Sequence, residues 1–177
     1  RRKFDNARSR YLKPEEAARL HKAAAESDNP QLASIVALLL LTGARKMELL
    51  RARWADVDLD ARLWLLPETK NGSHRYVPLS EQAIEVISKL PRWEGCEWLI
   101  PNPATRKPYN TIKRAWKTAT EAAGLRDFRI HDCRHAFCSS AVAAGVDLYT
   151  VGKIVGHKDY KSSQRYAHHA GETLLRA

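Results

Sequence analysis

The chain has 177 residues, a length that suits one domain with its own hydrophobic core. Its 30 Lys and Arg residues against 20 Asp and Glu residues leave a formal charge of +10. That excess favours a polyanionic partner such as DNA or RNA over a merely solvated basic surface. The longest apolar run, residues 35–41, is too short to cross a bilayer. The three cysteines show no CxxC spacing, which argues against a disulfide framework and indicates a reducing, cytoplasmic compartment.

The first twelve residues differ in composition from the rest of the chain. Residues 1–12 are polar and basic, which predicts an N-terminal arm or linker, and residues 13–177 form the domain. The chain opens without Met and without the apolar stretch of a signal peptide. We therefore expect it to be a piece of a longer protein in which another domain lies upstream.

Helix signals dominate the chain. Pro14, followed by two glutamates, opens a helix that runs to about residue 26. Residues 30–41 are apolar nearly all round, which predicts a buried helix that ends at Gly43. A short helix over about 46–52 follows. Further helices are predicted near 80–89, 110–123, 131–144, 147–155 and 159–167.

The pattern becomes strand-like in one region only. Residues 54–58, 62–66 and 75–79 are rich in strand-forming residues, and Asn71-Gly72 is a strong hairpin-turn signal. The predicted fold is therefore mainly α with a small antiparallel β-sheet, an α+β arrangement.

Six residues form a set with the chemistry of phosphodiester cleavage, and they are Arg45, Lys70, His131, Arg134, His157 and Tyr166. Taken singly, each has an ordinary structural explanation. Arg45 can pair with Glu48 three positions on, a lysine before a turn is usually exposed, and most histidines and tyrosines serve packing. Together they could grip a phosphate, move protons and attack phosphorus.

The order and spacing of these residues resemble the catalytic domain of tyrosine recombinases, the phage integrase family. The resemblance lies in residues 131–137, 155–157 and 164–168, and residues 42–49 resemble the family's first arginine motif. Further similarity lies in residues 11–16, 53–58 and 144–148. Cys133 and Val155 replace the usual leucines, at positions where we expect only packing. The likeness covers nearly the whole chain and implies the tyrosine recombinase catalytic-domain fold.

The chemistry gives five of the six a role. Planar guanidinium groups donate paired hydrogen bonds to phosphate oxygens, so Arg45 and Arg134 are the expected phosphate clamp. Tyr166 is the expected nucleophile, although a phenol with a reference pKa near 10 needs a base or positive charge nearby. His131 and His157 would transfer protons or hydrogen-bond the phosphate.

The resemblance assigns the remaining polar groups. Lys70, at the tip of the predicted hairpin, is the expected general acid, with His74 and Arg75 as neighbours that could confuse the assignment. Glu48 is expected to support Arg45, and His135 to brace the site. We expect His168 and His169 to be solvated or to contact the DNA backbone.

Metal and nucleotide chemistry are not predicted. On a helix, His131 and Cys133 would point to different faces, although Cys133, Cys138, His157, His168 and His169 also supply zinc-ligand types. No C-x₂-C pair and no Walker-type loop occurs in the sequence. We therefore expect no metal and no cofactor.

The sequence thus predicts a site-specific DNA recombinase or integrase catalytic domain that works through a covalent 3'-phosphotyrosyl intermediate, without metal or ATP. The expected partner is double-stranded DNA, and the resemblance implies a monomer that assembles into a tetramer on DNA. A bacterial or phage-encoded protein associated with the nucleoid would fit this role. A DNA-binding remnant without activity, a type IB topoisomerase and a structural or regulatory module remain as alternatives.

Overall fold

The computed structural model describes residues 12–67, 74–157, 161–164, 166 and 167. Within these residues, α-helices and one small sheet are connected by turns and by one longer irregular segment, residues 89–112. The helices are α1 (Pro14–Ala25), α2 (Leu32–Thr42), α3 (Lys46–Leu50), α4 (Glu81–Ser88), α5 (Lys113–Ala122), α6 (Asp132–Ala143), α7 (Leu148–Val155) and α8 (Lys161–Gln164). The strands are β1 (Val57–Asp58), β2 (Leu63–Leu66) and β3 (Arg75–Pro78). The predicted α+β fold with a small antiparallel sheet is confirmed.

The helix α2 lies at the centre of the core. Its Leu38 and Leu39 are each only 1% exposed, and the helix packs against α1, α4 and α6. It ends at Gly43 in the left-handed conformation, with φ +62°. A Cβ at Gly43 would lie 2.4 Å from the Phe137 ring, so the glycine allows α6 to approach the end of α2.

The sheet has the strand order β1-β2-β3, with both neighbouring pairs antiparallel. Leu66 pairs with Arg75 at one end of the sheet. The predicted Asn71-Gly72 turn lies outside the described residues.

The predicted strand over residues 54–58 is only partly correct. Trp54–Asp56 is a turn of 3₁₀ helix, and only Val57–Asp58 pairs with β2. The Trp54 backbone N–H donates to the Glu97 carbonyl at 2.9 Å, and the Asp56 N–H donates to the Arg53 carbonyl at 3.1 Å. A bond to a distant loop thus overrides the local strand propensity.

Among the residues described, the predicted helix over residues 159–167 is interrupted at Tyr166, since Lys161–Gln164 and Ala167 are helical. The helix α8 has four residues, and Tyr166 follows in a turn whose backbone N–H donates to the Ser163 carbonyl at 3.0 Å. This i→i−3 bond is the tighter pattern of a 3₁₀ turn.

A second, smaller apolar cluster supports this end of the molecule. It consists of Cys138, Val142, Val151, Val155 and Tyr166. The cluster joins the C-terminal half of α6 to α7 and to the turn after α8. The cluster therefore anchors the turn that contains Tyr166 to α6 and α7. No helix among the described residues is long and apolar enough to cross a membrane.

Candidate active site

Arg45 is positioned by the start of α3. It is the N-cap residue of that helix, and its backbone N–H donates to Glu48 Oε2 at 2.7 Å. The Arg45 side chain reaches the same carboxylate, with Nη1 donating to Oε1 at 2.8 Å. Its Nη2 donates to the Gly156 carbonyl at 3.2 Å. The Arg45 side chain is 45% exposed, so the guanidinium is anchored and still accessible.

Arg134 lies in the first turn of α6 and is only 3% exposed. Its Nη1 donates to the Gly43 carbonyl at 2.9 Å, and its Nη2 donates to the Val155 carbonyl. Burial, followed by repulsion from the Arg45 charge, lowers the pKa of Arg134 to about 10. The group therefore remains a cation at neutral pH.

The two arginines converge on the last turn of α7. Arg134 binds the Val155 carbonyl and Arg45 binds the adjacent Gly156 carbonyl. Gly156 ends α7 in the left-handed conformation, with φ +69°. His157 follows directly, so the helix end places a histidine beside two guanidinium groups.

Glu48 accepts bonds from a second arginine. Arg75, the first residue of β3, donates from Nη2 to Oε2 at 2.6 Å and from Nη1 to Oε1 at 3.1 Å. Burial alone would raise the pKa of Glu48, but the hydrogen bonds from Arg75 and Arg45 outweigh it and lower the pKa overall. Glu48 is therefore a firmly ionised carboxylate between two cations.

His157 and Tyr166 form the other part of the site. The His157 Nδ1 lies 2.8 Å from Ser163 Oγ, and its ring stacks on the Tyr166 ring with centroids 6.4 Å apart. Ser163 is 1% exposed. A Cβ at Gly152 would lie 2.7 Å from Ser163 Oγ, so this glycine makes room for the serine.

The Tyr166 hydroxyl is held by a histidine that we expected only to brace the site. Its oxygen lies 2.5 Å from His135 Nδ1, and the residue is 4% exposed. The His131 ring stands edge-on to His135 with centroids 5.0 Å apart. His131 is the N-cap residue of α6 and is exposed, whereas Arg134, three positions on, is buried.

Five of the six predicted residues therefore lie in one region: Arg45, His131, Arg134, His157 and Tyr166. Lys70 lies outside the described residues, as do His168 and His169. Sequence reasoning missed Arg75 and Ser163 as parts of the site. The only available signal for Arg75 was its place next to the hairpin, and Ser163 offered none.

The two departures from the family pattern are packing positions, as expected. Cys133 is 1% exposed and Val155 is fully buried. Burial raises the pKa of the Cys133 thiol far above its ordinary range, so that thiol stays neutral. Among the residues that the structure describes, no group of three or more His, Cys, Asp or Glu side chains could hold a metal ion.

Comparison with known proteins gives a consistent result. The model of the phage integrase family matches residues 10–173. The integrase of Salmonella phage P22 is 31% identical over 183 residues, covering 96% of this chain and 46% of that protein. The shufflon-specific DNA recombinase of Escherichia coli is 32% identical over 167 residues, covering 94% of this chain and 42% of that protein. This chain thus spans less than half the length of either relative.

A solved structure shows the same likeness in three dimensions. The catalytic domain of bacteriophage HP1 integrase matches with a TM-score of 0.75 and 26% identity. The match covers 93% of this chain and 90% of that one. The architecture described above therefore corresponds to nearly the whole of that domain.

Proposed function

Because the chain belongs to the phage integrase family, we propose that it is the catalytic part of a site-specific recombinase that cuts and rejoins DNA strands. The observation that carries this proposal is the convergence of Arg45, Arg134, His157 and Tyr166 on the last turn of α7. Such a set can bind a phosphate, transfer protons and attack phosphorus without a metal or ATP.

In this proposal, Arg45 and Arg134 bind the two non-bridging oxygens of the phosphate that is cut. The bonds from Arg134 to backbone carbonyls use two of the five N–H groups of its guanidinium, which leaves others for the phosphate. Negative charge grows on those oxygens during attack. Preorganised donors of this kind are worth on the order of 3 kcal/mol each in a transition state.

Tyr166 is the nucleophile of the proposed reaction. Its oxygen forms a bond to phosphorus while the bond from phosphorus to the 5' oxygen of the next nucleotide breaks. The phenol proton passes to His131 or His157, and Lys70 supplies a proton to the departing 5' oxygen. The product is a 3'-phosphotyrosyl bond and a free 5' hydroxyl. A second DNA hydroxyl can reverse the step, because the new bond keeps the energy of the phosphodiester.

The DNA-free position of Tyr166 adds one step. Its hydroxyl is bonded to His135 and buried, so attack requires this bond to be exchanged for an approach to phosphorus. A side-chain hydrogen bond contributes about 1 kcal/mol net, which is small beside the energy of phosphate contacts along DNA. We infer that binding of the duplex releases the tyrosine.

A groove with three basic residues and Asp56 in its lining is the surface that we propose for the rest of the duplex. It encloses about 1190 Å³, and its lining includes Arg51, Arg53, Pro67 and Lys107. Arg51 ends α3, the helix that Arg45 begins, and Pro67 follows the last residue of β2. Both elements also lead to the site, because Arg45 precedes α3 and β2 pairs with the strand that Arg75 begins. Phosphates flanking the cut would bind here, which makes DNA affinity fall steeply with salt.

Covalent trapping tests the proposal. A duplex that carries the recombination site and a nick next to the cleaved phosphate loses the short fragment after attack, so that the protein stays attached. We expect a protein–DNA adduct that survives denaturation. DNA binding without any adduct would indicate an inactive DNA-binding remnant. Relaxation of an arbitrary supercoiled plasmid would indicate a type IB topoisomerase instead.

Assembly is a further part of the proposal. We propose that the protein is a monomer alone and forms a tetramer on two DNA sites. Light scattering after size-exclusion chromatography, with and without DNA that carries the site, measures this directly. A stable tetramer without DNA would contradict it.

A further inference from the structure

Arg75 connects three elements around the candidate site. Its guanidinium makes a bidentate pair with Glu48 on α3, at 2.6 and 3.1 Å. Its Nε donates to the Ile154 carbonyl at 3.0 Å, in the last turn of α7. The side chain is 14% exposed and that of Glu48 is 12% exposed, so the pair is shielded from water. Arg75 is also the first residue of β3, five positions after Lys70 in the sequence.

The last turn of α7 is shaped to receive this side chain. A Cβ at Gly156 would lie 3.0 Å from Arg75 Nη1 and 3.1 Å from its Cδ. Any side chain at Gly156 would therefore press on the guanidinium, quite apart from the positive φ of that residue. The contact fixes the position of α7 immediately before His157.

Charge balance gives the second reason for Arg75. Glu48 carries one negative charge and lies between two cations, Arg75 and Arg45. If Arg75 were absent, the full charge of the carboxylate would oppose that of Arg45. With Arg75 present, one of the two positive charges remains for a bound phosphate. The bidentate geometry also fixes both carboxylate oxygens in the orientation that Arg45 requires.

We propose that Arg75 is a positioning residue of the proposed recombinase: it holds Glu48 and the last turn of α7 so that Arg45 and His157 face the same phosphate, and it does not bind that phosphate itself. The inference rests on the proposed function. It predicts a loss in the rate of the chemical step and little change in DNA affinity.

Single-turnover cleavage with Arg75→Gln and Arg75→Lys tests this role. We expect Arg75→Gln to cleave at least about tenfold more slowly, as expected for loss of a supporting residue around a reactive group. DNA affinity should stay within about threefold, because no phosphate contact is lost. Arg75→Lys should cleave faster than Arg75→Gln, since lysine restores the positive charge but cannot donate the two parallel hydrogen bonds of a guanidinium. Arg62→Gln, at an exposed pair with Glu81 3.5 Å apart, is the matched control and should behave like the unaltered protein.

The double variant separates a positioning role from an independent one. If Arg75 acts through Glu48, the double variant Glu48→Gln/Arg75→Gln should cleave DNA at nearly the same rate as the less active of the two single variants. A double variant as slow as the product of the two single effects would overturn the assignment of Arg75 to Glu48, and unchanged cleavage by Arg75→Gln would overturn the whole proposal. A large loss of DNA affinity would show that Arg75 binds the phosphate directly.

A titration makes the test independent of activity. Arg75 lowers the pKa of Glu48, so its removal should raise that pKa. The loss of cleavage on acidification should then begin at a higher pH in Arg75→Gln. Carbon NMR of the Glu48 carboxyl measures the same shift in protein that cleaves no DNA. Unchanged titration in Arg75→Lys and Arg75→Gln would overturn the inference, even if the proposed function itself failed.

Discussion

The arginine side and the tyrosine side of the candidate site are built differently. On the arginine side, Arg45, Glu48, Arg75 and Arg134 are each fixed by two or more charge-assisted or backbone hydrogen bonds. On the tyrosine side, the Tyr166 hydroxyl is bonded to the His135 ring nitrogen. Tyr166 lies in the turn that follows α8. The arginine side is thus fixed by polar contacts from several elements, whereas the tyrosine side combines a contact between hydroxyl and imidazole with packing in the second apolar cluster.

The difference follows from the task that we propose for each side. Donors that stabilise developing charge are most effective when they are already in place, because no reorganisation is then needed during the reaction. A nucleophile must instead reach phosphorus, and a hydrogen bond worth about 1 kcal/mol lets it leave at low cost. Four variants test this contrast, beginning with the largest expected effect.

Removal of the nucleophile should have the largest effect. Tyr166→Phe deletes one hydroxyl and leaves the ring in its apolar cluster, so the covalent adduct should disappear while DNA affinity stays within a few-fold. Denaturing gels after reaction with a nicked site measure the adduct. Tyr149→Phe, at a residue 64% exposed, is the control. An adduct formed by Tyr166→Phe would place the nucleophile elsewhere.

Loss of the buried clamp arginine should come next. Arg134→Ala should slow cleavage at least about a hundredfold, as for loss of one oxyanion donor. It should also lower stability, because the Gly43 and Val155 carbonyls lose a buried partner. Rates at saturating DNA and a denaturant titration separate the two effects. Near-normal cleavage would contradict the proposed clamp.

Substitution of Gly43, in the turn between α2 and Arg45, should have the next largest effect, a loss of stability. Gly43→Ala would place a methyl group 2.4 Å from the Phe137 ring in a left-handed backbone conformation. Crowding of this kind costs about 1–3 kcal/mol of stability. Gly124→Ala is a useful control, since it has a similar φ of +68° and nothing within 4 Å. Equal losses in both variants would assign the effect to the backbone alone.

The smallest effect on cleavage is expected for Ser163→Ala. Ser163→Ala removes the hydroxyl that contacts His157 Nδ1, which should slow cleavage about fivefold, equivalent to about 1 kcal/mol. Ser162→Ala, on the same short helix, should leave the rate unchanged. A hundredfold loss in Ser163→Ala would mean that the tyrosine side is as rigidly coupled to catalysis as the arginine side.

Much of the fold was predictable because its signals are local. Pro14 and the acids after it predicted α1, and the apolar run before Gly43 predicted the buried helix α2. The segment 54–58 was predicted wrongly in part, since Trp54 bonds to Glu97 more than 40 positions away. No periodicity within a few residues could reveal that bond.

For the candidate site, the sequence by itself determined which chemical groups are present and their order along the chain. It also supplied the local geometry of Arg45 with Glu48, because three positions span one helical turn. Only the tertiary structure decided that Arg75 shares that carboxylate, that Ser163 holds His157, and that His135 retains the Tyr166 hydroxyl. Helix and turn signals act between neighbours in the chain, whereas the Arg75 and His135 contacts join separate elements that meet only when the core packs.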